Sequence, residues 1–430
     1  MSNELPSRSD RLIARCRALA ACTEVPGETT RTFLSEPMHA VHDMVRAWME
    51  GAGMCVDVDA MGNLRGVYAA AGEAMPRLLI ASHLDTVPNA GAFDGILGVL
   101  FGVALVEELQ GERLPFAIEV IGFSEEEGVR FGKPFLGSLA LIGALDDAWL
   151  AVRDTHGVSV DEAIRNFGLD PARMPEAVLG EDAFAYVELH IEQGPVLESE
   201  MLSLGVVSAI AGQSKLELRF LGQANHAGTT PMLRRHDAMA SAAAWIVAVE
   251  QYARTRSGLV ATVGRVETRP GAGNVIAGEV LATLDVRHAE DGEREQAAVE
   301  LLQAAQREAE ARGVRVESRA IAMQAAVPMD TALTAQLCGA AKRAGYPAPA
   351  LISGAGHDAM IVGRRVPAAM LFVRNPDGLS HHPHEVVLAE DVEAGLATGM
   401  ELLRGMSVAR GDAACGKQGL HRAEVEDVHA

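Results

Sequence analysis

The stretch RLLIASHLDTVPNAGAFDGILGVLFGVALVEELQ, residues 77–110, decides the fold. It begins with an apolar run typical of a buried strand, passes through a loop containing Pro and Gly, and ends in an apolar segment long enough for a helix. The same alternation extends from residue 12 to about residue 210 and predicts an α/β sheet with helices on both faces. In such sheets, ligands bind at the carboxyl ends of the strands.

A second pattern begins at about Gln213. A strand, a helix, two strands, a helix and a strand follow at residues 215–221, 236–254, 259–268, 279–287, 292–312 and 314–321. This order is that of ferredoxin-like α+β domains. The α/β pattern resumes after Met329, so we expect one discontinuous domain over 1–212 and 328–410 with a second domain inserted over 213–327. The polar residues 411–430 show no pattern and are predicted to form a flexible tail.

Charge and composition exclude several classes of protein. The chain has 37 basic and 58 acidic residues, and its net charge of −21 would repel nucleic acid and anionic membrane surfaces. The longest apolar stretch, residues 95–106, is too short to span a bilayer, and the N-terminus lacks the features of a signal peptide. Five cysteines without CxxC spacing predict reduced thiols in a cytoplasmic protein. An anionic substrate would need a local cation to hold it.

Two segments place metal-binding side chains after the first strand of the quoted stretch. His83 and Asp85 lie at the end of that strand and, being two residues apart, share a face. Asp85 could therefore fix the tautomer of a metal-binding His83. Asp94 follows in a glycine-flanked loop before a helix. Taken alone, Asp94 is better explained as a helix N-cap.

Three more strands are followed by groups of the same kind. Residues 116–123 run into Glu125, Glu126 and Glu127, whose charges would repel one another unless cations lie among them. A solvated acidic turn explains these three glutamates equally well. His190 lies in the apolar strand 184–191, where a single histidine is more often a core residue. His381 belongs to a histidine-rich loop after the strand 368–373, which could also be a surface loop.

Together these residues form a set of imidazoles and carboxylates that all follow or end strands of one sheet. Such ligands suit zinc, manganese, cobalt or nickel, and the absence of cysteine argues against a structural zinc site. Two metal ions bridged by one carboxylate, about 3.5–4 Å apart, would polarise a substrate carbonyl. A further glutamate would be needed to transfer protons.

Nine segments in consistent order carry a family resemblance. They are SHLDTV, FDGILGVL, SEEEGVRFG, ELHIEQGPVLE, ANHAGTTPM, PGAGNVIAGE, LDVRH, GAGHDAM and GLSHHPHE, between residues 82 and 385. The chain thereby resembles the dinuclear metallo-amidohydrolases with an aminopeptidase-like fold, which include allantoate amidohydrolases, N-carbamoyl-L-amino-acid hydrolases and β-ureidopropionases. The resemblance implies an aminopeptidase-like catalytic domain with an inserted ferredoxin-like lid and dimerisation domain, and hence a homodimer.

The resemblance also implies two divalent metal ions per subunit, zinc or manganese, with cobalt or nickel as further candidates. His83 and His190 match the ligands of one metal ion, and Glu127 and His381 match those of the other. Asp94 matches the bridging carboxylate. All five expected ligand positions are therefore present in this chain.

Other positions match the family's catalytic and substrate-binding residues. Glu126 matches the general base, Asp85 the carboxylate that orients a ligand, and His226 the histidine that stabilises the oxyanion. Arg287 and Asn274 match the pair that binds the substrate carboxylate, although an arginine at a strand end is also common in surface salt bridges. Two further residues resemble those lining the substrate pocket: Gln193 and His357.

The activity implied by the resemblance is cleavage of a C–N bond of a ureido group on a small carboxylate. Likeness in TRTFLSEPM, VRFGKPFLGS and MLFVRNPDGLSHHP favours allantoate as the substrate, which would yield ureidoglycine or ureidoglycolate, ammonia and carbon dioxide. Hydrolysis of N-carbamoyl-L-amino acids or 3-ureidopropionate is the alternative. A dipeptidase is disfavoured by His190, and a non-catalytic metabolite-binding relative is a more remote alternative because no ligand or base is missing. The role of Arg374 and Asn375 stays open between specificity and loop structure.

Overall fold

The computed structural model describes residues 6–72 and 76–426, with side chains described up to residue 408. The chain divides into two compact units. The second comprises Ala209–Pro328 together with Ile352–Gly356, and the first comprises the remainder of the described chain.

The strands are numbered in chain order within the described residues. They are β1 Cys55–Val58, β2 Leu64–Tyr68, β3 Arg77–His83, β4 Ala117–Phe123, β5 Ala183–Ile191, β6 Leu204–Ile210, β7 Gly212–Leu221, β8 Val260–Arg269, β9 Glu279–His288, β10 Arg315–Gln324, β11 Val327–Pro328, β12 Ala350–Ser353 and β13 Ala368–Val373.

The α-helices are numbered in the same way. They are α1 Arg8–Ala20, α2 Pro37–Gly51, α3 Ile96–Glu108, α4 Leu136–Leu141, α5 Asp147–Leu150, α6 Val160–Asn166, α7 Val196–Ser199, α8 Ala238–Arg254, α9 Asp291–Glu310, α10 Thr331–Arg343, α11 Ala359–Val362 and α12 Ala389–Glu426. Short 3₁₀ segments lie at Pro171–Ala177, Met232–Arg234 and Pro376–Gly378.

The first unit is built on a mixed sheet with the strand order β1-β2-β4-β3-β5-β13-β6. The four central strands β4, β3, β5 and β13 are parallel, and antiparallel strands lie on either side of them. Because the central strands are parallel, their carboxyl ends all lie at one edge of the sheet. The predicted α/β architecture therefore places four candidate ligand segments side by side.

The core of the first unit is dominated by α3, which packs on β3, β4 and β5. Every residue from Ile96 to Val106 is buried, because α1 and α12 cover the side of α3 that faces away from the sheet. An all-round apolar helix of this kind is stable only when it is enclosed. The loop that carries Asp94 is thus anchored to a rigid element at its carboxyl end.

The second unit has the predicted element order, β7-α8-β8-β9-α9-β10. Its four strands form an antiparallel sheet in the order β10-β7-β9-β8. Helices α8 and α9 pack on the sheet, and the buried Trp245 donates its indole N–H to the carbonyl of Leu301 at 2.9 Å. The element order and the antiparallel sheet are those of a ferredoxin-like domain.

Two details differ from the sequence-based description. Residues 352–356 belong to the second unit, because the Ala211 N–H donates to the carbonyl of Ser353 and Arg287 donates to that of Gly354. Helix α12 continues to Glu426, so the backbone is helical over most of the segment 411–430, for which a flexible tail was expected, and residues 427–430 lie outside the described part. Among the described helices, none is both long enough and apolar enough to cross a membrane.

Candidate metal centre

The carboxyl edge of the first unit's sheet brings the five predicted metal ligands together. His83, Asp94 and His190 have ligand atoms within 4.8 Å of one another, and so do Asp94, Glu127 and His381. Asp94 belongs to both groups. The structure thus gathers, as two trios sharing one carboxylate, residues that lie up to 298 positions apart in the sequence.

The two oxygens of Asp94 point to different histidines. Its Oδ1 lies 3.2 Å from Nε2 of His190, and its Oδ2 lies 3.2 Å from Nε2 of His381. Nε2 of His381 is also 3.7 Å from a carboxylate oxygen of Glu127. A carboxylate that serves a different partner with each oxygen has the arrangement required of a bridging ligand.

The tautomers of two histidines are set by their surroundings. Nδ1 of His190 lies 3.0 Å from the carbonyl oxygen of Ile191, and Nδ1 of His83 lies 3.0 Å from that of Asp85. A carbonyl only accepts, so Nδ1 of each ring carries a proton and Nε2 is the nitrogen that could bind a metal ion. Nε2 of His190 is buried and has no hydrogen-bond partner among the described residues. An orphaned imidazole nitrogen facing a carboxylate fits a metal ion.

Asp85 holds the glutamate loop as well as His83. One of its carboxylate oxygens accepts the N–H of Glu126 at 3.0 Å, and the other accepts the N–H of Glu127 at 3.1 Å. The first oxygen also lies 3.4 Å from Nδ1 of His83. Asp85 is buried. Its contacts extend beyond the expected orientation of His83, because it fixes the backbone of both candidate functional glutamates.

The charges of this cluster are unbalanced. Burial, together with the carboxylate of Asp94, raises the pKa of Glu127 to about 7, and burial raises the pKa of Glu126 well above its ordinary range. Burial also opposes ionisation of Asp94, but the nearby histidines outweigh it and lower the pKa of this carboxyl. Hydrogen bonding to Asp94 raises the pKa of His381. Divalent cations would replace these protons as the compensating charge.

Gly95 and Gln193 complete the surroundings of Asp94. Gly95 has a φ of +70°, and a Cβ atom there would lie 2.4 Å from the ring of His83, so only glycine fits. The side-chain amide of Gln193 donates to both carboxylate oxygens of Asp94, at 3.2 and 3.3 Å, and to the hydroxyl of Ser380 at 3.0 Å. Gln193, expected to line the substrate pocket, therefore contacts a candidate metal ligand.

His357 is the other residue expected to line the substrate pocket. It is buried beside His190, with ring centroids 4.5 Å apart, and burial lowers its pKa well below the ordinary value for histidine. The structure therefore places a neutral imidazole against a candidate ligand. Its contact with substrate stays a prediction.

The open question about Arg374 and Asn375 has a structural answer. Arg374 forms two hydrogen bonds to Asp391 at the start of α12, at 2.8 and 3.0 Å. Asn375 is fully buried, accepts the backbone N–H of Gln193 at 3.0 Å, and donates to the carbonyl of Leu379 at 2.8 Å. Both residues thus hold the loop that leads to His381.

Three expected functional residues lie in the second unit. Nδ1 of His226 accepts the N–H groups of Gly228 and Thr229 at 3.0 and 3.1 Å, so the ring proton is on Nε2, which is left as a donor. The carbonyl of Asn274 accepts the N–H of Ala227 at 2.9 Å, which ties the two loops together.

Arg287 is held at one edge by a carboxylate. Its Nε and one terminal nitrogen donate to the two oxygens of Asp285 at 3.1 and 3.0 Å. The other terminal nitrogen donates to the carbonyl of Gly354. The sequence motif LDVRH contains Asp285, but its contact with Arg287 was not anticipated.

Two buried glutamates lie in quoted motifs but were given no role from the sequence. Glu385 accepts backbone N–H groups of the Asp94 loop. Glu188 accepts hydrogen bonds from Ser82 at 3.0 Å and from Tyr186 at 2.9 Å, and its carboxylate lies within 4.8 Å of ligand atoms of His190 and His357. One signal was available: Glu188 lies two residues before His190 and so shares its face of the strand.

The fold and the site together define the class of protein: an α/β protein whose sheet gathers, at its carboxyl edge, imidazoles and carboxylates suited to metal ions. Residues 79–405 match the model of peptidase family M20/M25/M40. The chain belongs to this family.

Named relatives and a solved structure agree with this assignment. Allantoate deiminase 1 of Glycine max is 39% identical over 428 residues, covering 90% of this chain and 88% of the relative. An N-carbamoyl-L-amino acid amidohydrolase of Geobacillus stearothermophilus is 39% identical over 393 residues, which cover 90% of this chain and 96% of the relative. The crystal structure of an amidase of the hydantoinase/carbamoylase family from Burkholderia multivorans matches with a TM-score of 0.87 at 32% identity. The match covers 93% of this chain and 98% of that chain. The predicted resemblance and the aminopeptidase-like fold class are confirmed.

Proposed function

We propose that this chain is a metal-dependent amidohydrolase that cleaves a ureido C–N bond of a small carboxylate, with allantoate as the first candidate substrate. The observation that carries the proposal is the pair of trios that share Asp94. The family assignment and the relative named allantoate deiminase support the choice of reaction and substrate.

The residues fit two divalent cations. His83 and His190 would hold one metal ion, and Glu127 and His381 would hold the other. Asp94 would contact both ions. When bound, such ions polarise a carbonyl group and lower the pKa of water. Zinc and manganese are our first choices, and cobalt and nickel suit the same donors.

Glu126 is the proposed general base. Asp85 holds its backbone, and the carboxyl group lies near His83 and Glu127 in a buried setting that raises its pKa. A carboxyl group with a raised pKa can accept a proton from the attacking water and return it to the departing nitrogen. Glu126 therefore serves as base and then as acid.

Arg287 and Asn274 are the proposed partners of the substrate carboxylate, and His226 is the proposed donor to the developing oxyanion. Asp285 and the carbonyl of Gly354 fix the orientation of the Arg287 guanidinium, whose remaining N–H groups would face the substrate carboxylate. The Nε2 donor of His226 has the polarity required to stabilise negative charge. In a chain of net charge −21, these groups would supply the local attraction for an anion.

The first experiment is Glu126→Gln with metal content measured. We expect the variant to keep the wild-type metal content and to lose about 10²–10⁴-fold in ammonia release from allantoate. Glu125→Gln is the control, because burial raises the pKa of Glu125 and the neutral amide resembles the protonated acid. Wild-type turnover in Glu126→Gln at full metal content would exclude this residue as the base.

Hydrolysis of N-carbamoyl-L-amino acids is the second candidate function. The N-carbamoyl-L-amino acid amidohydrolase of Geobacillus stearothermophilus favours this candidate, because the match covers 96% of that relative. Both kinds of substrate join a carboxylate to a ureido group and would use the same residues. Turnover of allantoate, N-carbamoyl-L-amino acids and 3-ureidopropionate, each with manganese, zinc, cobalt and nickel, ranks these substrates directly.

We further propose that the chain forms a homodimer through the second unit and acts in the cytoplasm.

A further inference from the structure

Glu385 connects two loops that carry candidate metal ligands. It lies four residues after His381, is buried, and one of its oxygens accepts the backbone N–H groups of Phe93 and Asp94 at 2.8 and 3.0 Å. Phe93 and Asp94 lie 292 and 291 positions before Glu385 in the sequence. A single carboxylate oxygen therefore ties the backbone of the bridging residue to the loop of His381.

The space around this contact is closely fitted. Gly91 is buried against Glu385, and a Cβ atom at position 91 would lie 2.3 Å from the Cβ of Glu385. The glycine does not have a positive φ, so its lack of a side chain serves this approach and not an unusual backbone conformation. Any side chain at position 91 would push Glu385 away from the Asp94 loop.

Both the backbone and the side chain of Asp94 are thus held by hydrogen bonds. Glu385 fixes its backbone, while Gln193 and Ser380 contact its carboxylate. A bridging carboxylate must present each oxygen to a different metal ion, and a rotation of its backbone would move both oxygens together. Residues that orient a ligand in this way commonly change metal affinity by about 10–100-fold when they are replaced.

We propose that Glu385 is a positioning residue of the metal centre, which sets the orientation of Asp94 by accepting two backbone hydrogen bonds. The inference rests on the proposed metal-dependent function. It does not involve contact of Glu385 with substrate or metal. It requires only an acceptor oxygen at this point, so glutamine should replace glutamate.

The test measures binding of Mn²⁺ alone, by calorimetry and by the electron paramagnetic resonance signal of free and bound Mn²⁺. Glu385→Ala should weaken binding by about 10–100-fold and reduce the magnetic coupling between paired ions, whereas Glu385→Gln should stay within about 3-fold of wild type. Gly91→Ala should reproduce the loss, because it displaces the carboxylate without removing it.

Asp154→Ala is the matched control. One oxygen of Asp154 accepts the N–H groups of His156 and Val158 at 2.9 and 3.0 Å, in a loop of the first unit without a candidate ligand. This variant loses two backbone contacts of the same kind and, in addition, the hydrogen bond from Nε of Arg130 to the other oxygen of Asp154, and it should still bind Mn²⁺ as wild type does. Gly91→Ala remains informative if Glu385→Ala does not fold.

The outcomes separate this inference from the proposed function. Wild-type Mn²⁺ affinity and coupling in folded Glu385→Ala or Gly91→Ala would overturn the positioning role, as would a Glu385→Gln variant as weak as alanine. Wild-type protein that binds two Mn²⁺ ions without hydrolysing any ureido compound would reject the function alone. Weakened binding in Glu385→Ala and Gly91→Ala, with Glu385→Gln and Asp154→Ala near wild type, would establish the positioning role.

Discussion

Asp85→Asn should destabilise the metal-free protein although it changes only one atom. Both oxygens of Asp85 are occupied, one by the N–H of Glu126 at 3.0 Å and the other by the N–H of Glu127 at 3.1 Å. Asparagine has one acceptor oxygen, and its NH₂ group would face whichever N–H the oxygen does not accept. One buried backbone N–H is therefore left without an acceptor.

The expected loss of stability follows from the number of N–H groups that lose their acceptor. A buried donor that loses its acceptor costs about 1–3 kcal/mol, so we expect Asp85→Asn to lower the free energy of unfolding by about that amount. Asp85→Ala leaves both N–H groups unpaired and should cost about 2–6 kcal/mol. The ordering of these two variants tests the count of hydrogen bonds independently of catalysis.

Two measurements on metal-free protein suit this prediction: urea unfolding, and hydrogen exchange of the amides of Glu126 and Glu127. Asp146→Asn is the control, because one oxygen of Asp146 accepts the backbone N–H groups of both Ala148 and Trp149 and asparagine keeps that oxygen. Unchanged protection of both amides in Asp85→Asn, with wild-type stability, would refute the proposed role of Asp85 in holding the glutamate loop.

Two further predictions concern acid stability and substrate binding. His42 is buried and its pKa is lowered to about 3, so below pH 6.5 the unfolded chain takes up a proton that the folded chain does not. Stability should therefore fall by about 2 kcal/mol between pH 7 and pH 5, and His42→Leu should remove this part of the pH dependence of urea unfolding; equal slopes in both proteins would contradict it. Arg287→Lys keeps the charge but loses the paired donors, so KM for allantoate should rise about 10–100-fold with little change in kcat. A wild-type KM would exclude Arg287 from carboxylate binding.

The grouping of the candidate metal ligands could be predicted because it depends on one topological fact. Strands predicted to be parallel end at the same edge, so residues after β3, β4, β5 and β13 must approach one another whatever the details of their loops. His83, Glu127, His190 and His381 follow this rule. The order of helices and strands in the second unit could also be predicted, because the apolar residues of its helices and of its strands recur with clear and different periodicities.

The contacts that orient the ligands could not be predicted in the same way. Whether Gln193 faces substrate or Asp94, and whether Asp85 serves His83 or the glutamate backbone, depends on loop conformations that periodicity does not describe. The contact between Glu385 and the N–H of Phe93 joins loops that are far apart in sequence. Residues 352–356 fall in the second unit, outside the expected range 213–327, and this could not be predicted because their backbone hydrogen bonds carry no side-chain signal.

The charge of the site explains why no cationic side chain makes these orienting contacts. Within the described part of the chain, no lysine or arginine forms an ion pair with Asp94, Glu125, Glu126 or Glu127, although Arg31 and Arg130 lie nearby and bind backbone carbonyls. A fixed guanidinium among these carboxylates would compensate their charge and compete with a divalent cation. Amides and backbone N–H groups orient the carboxylates without neutralising them, so the negative charge remains available for metal ions, whose binding must then displace the protons held by groups such as Glu127.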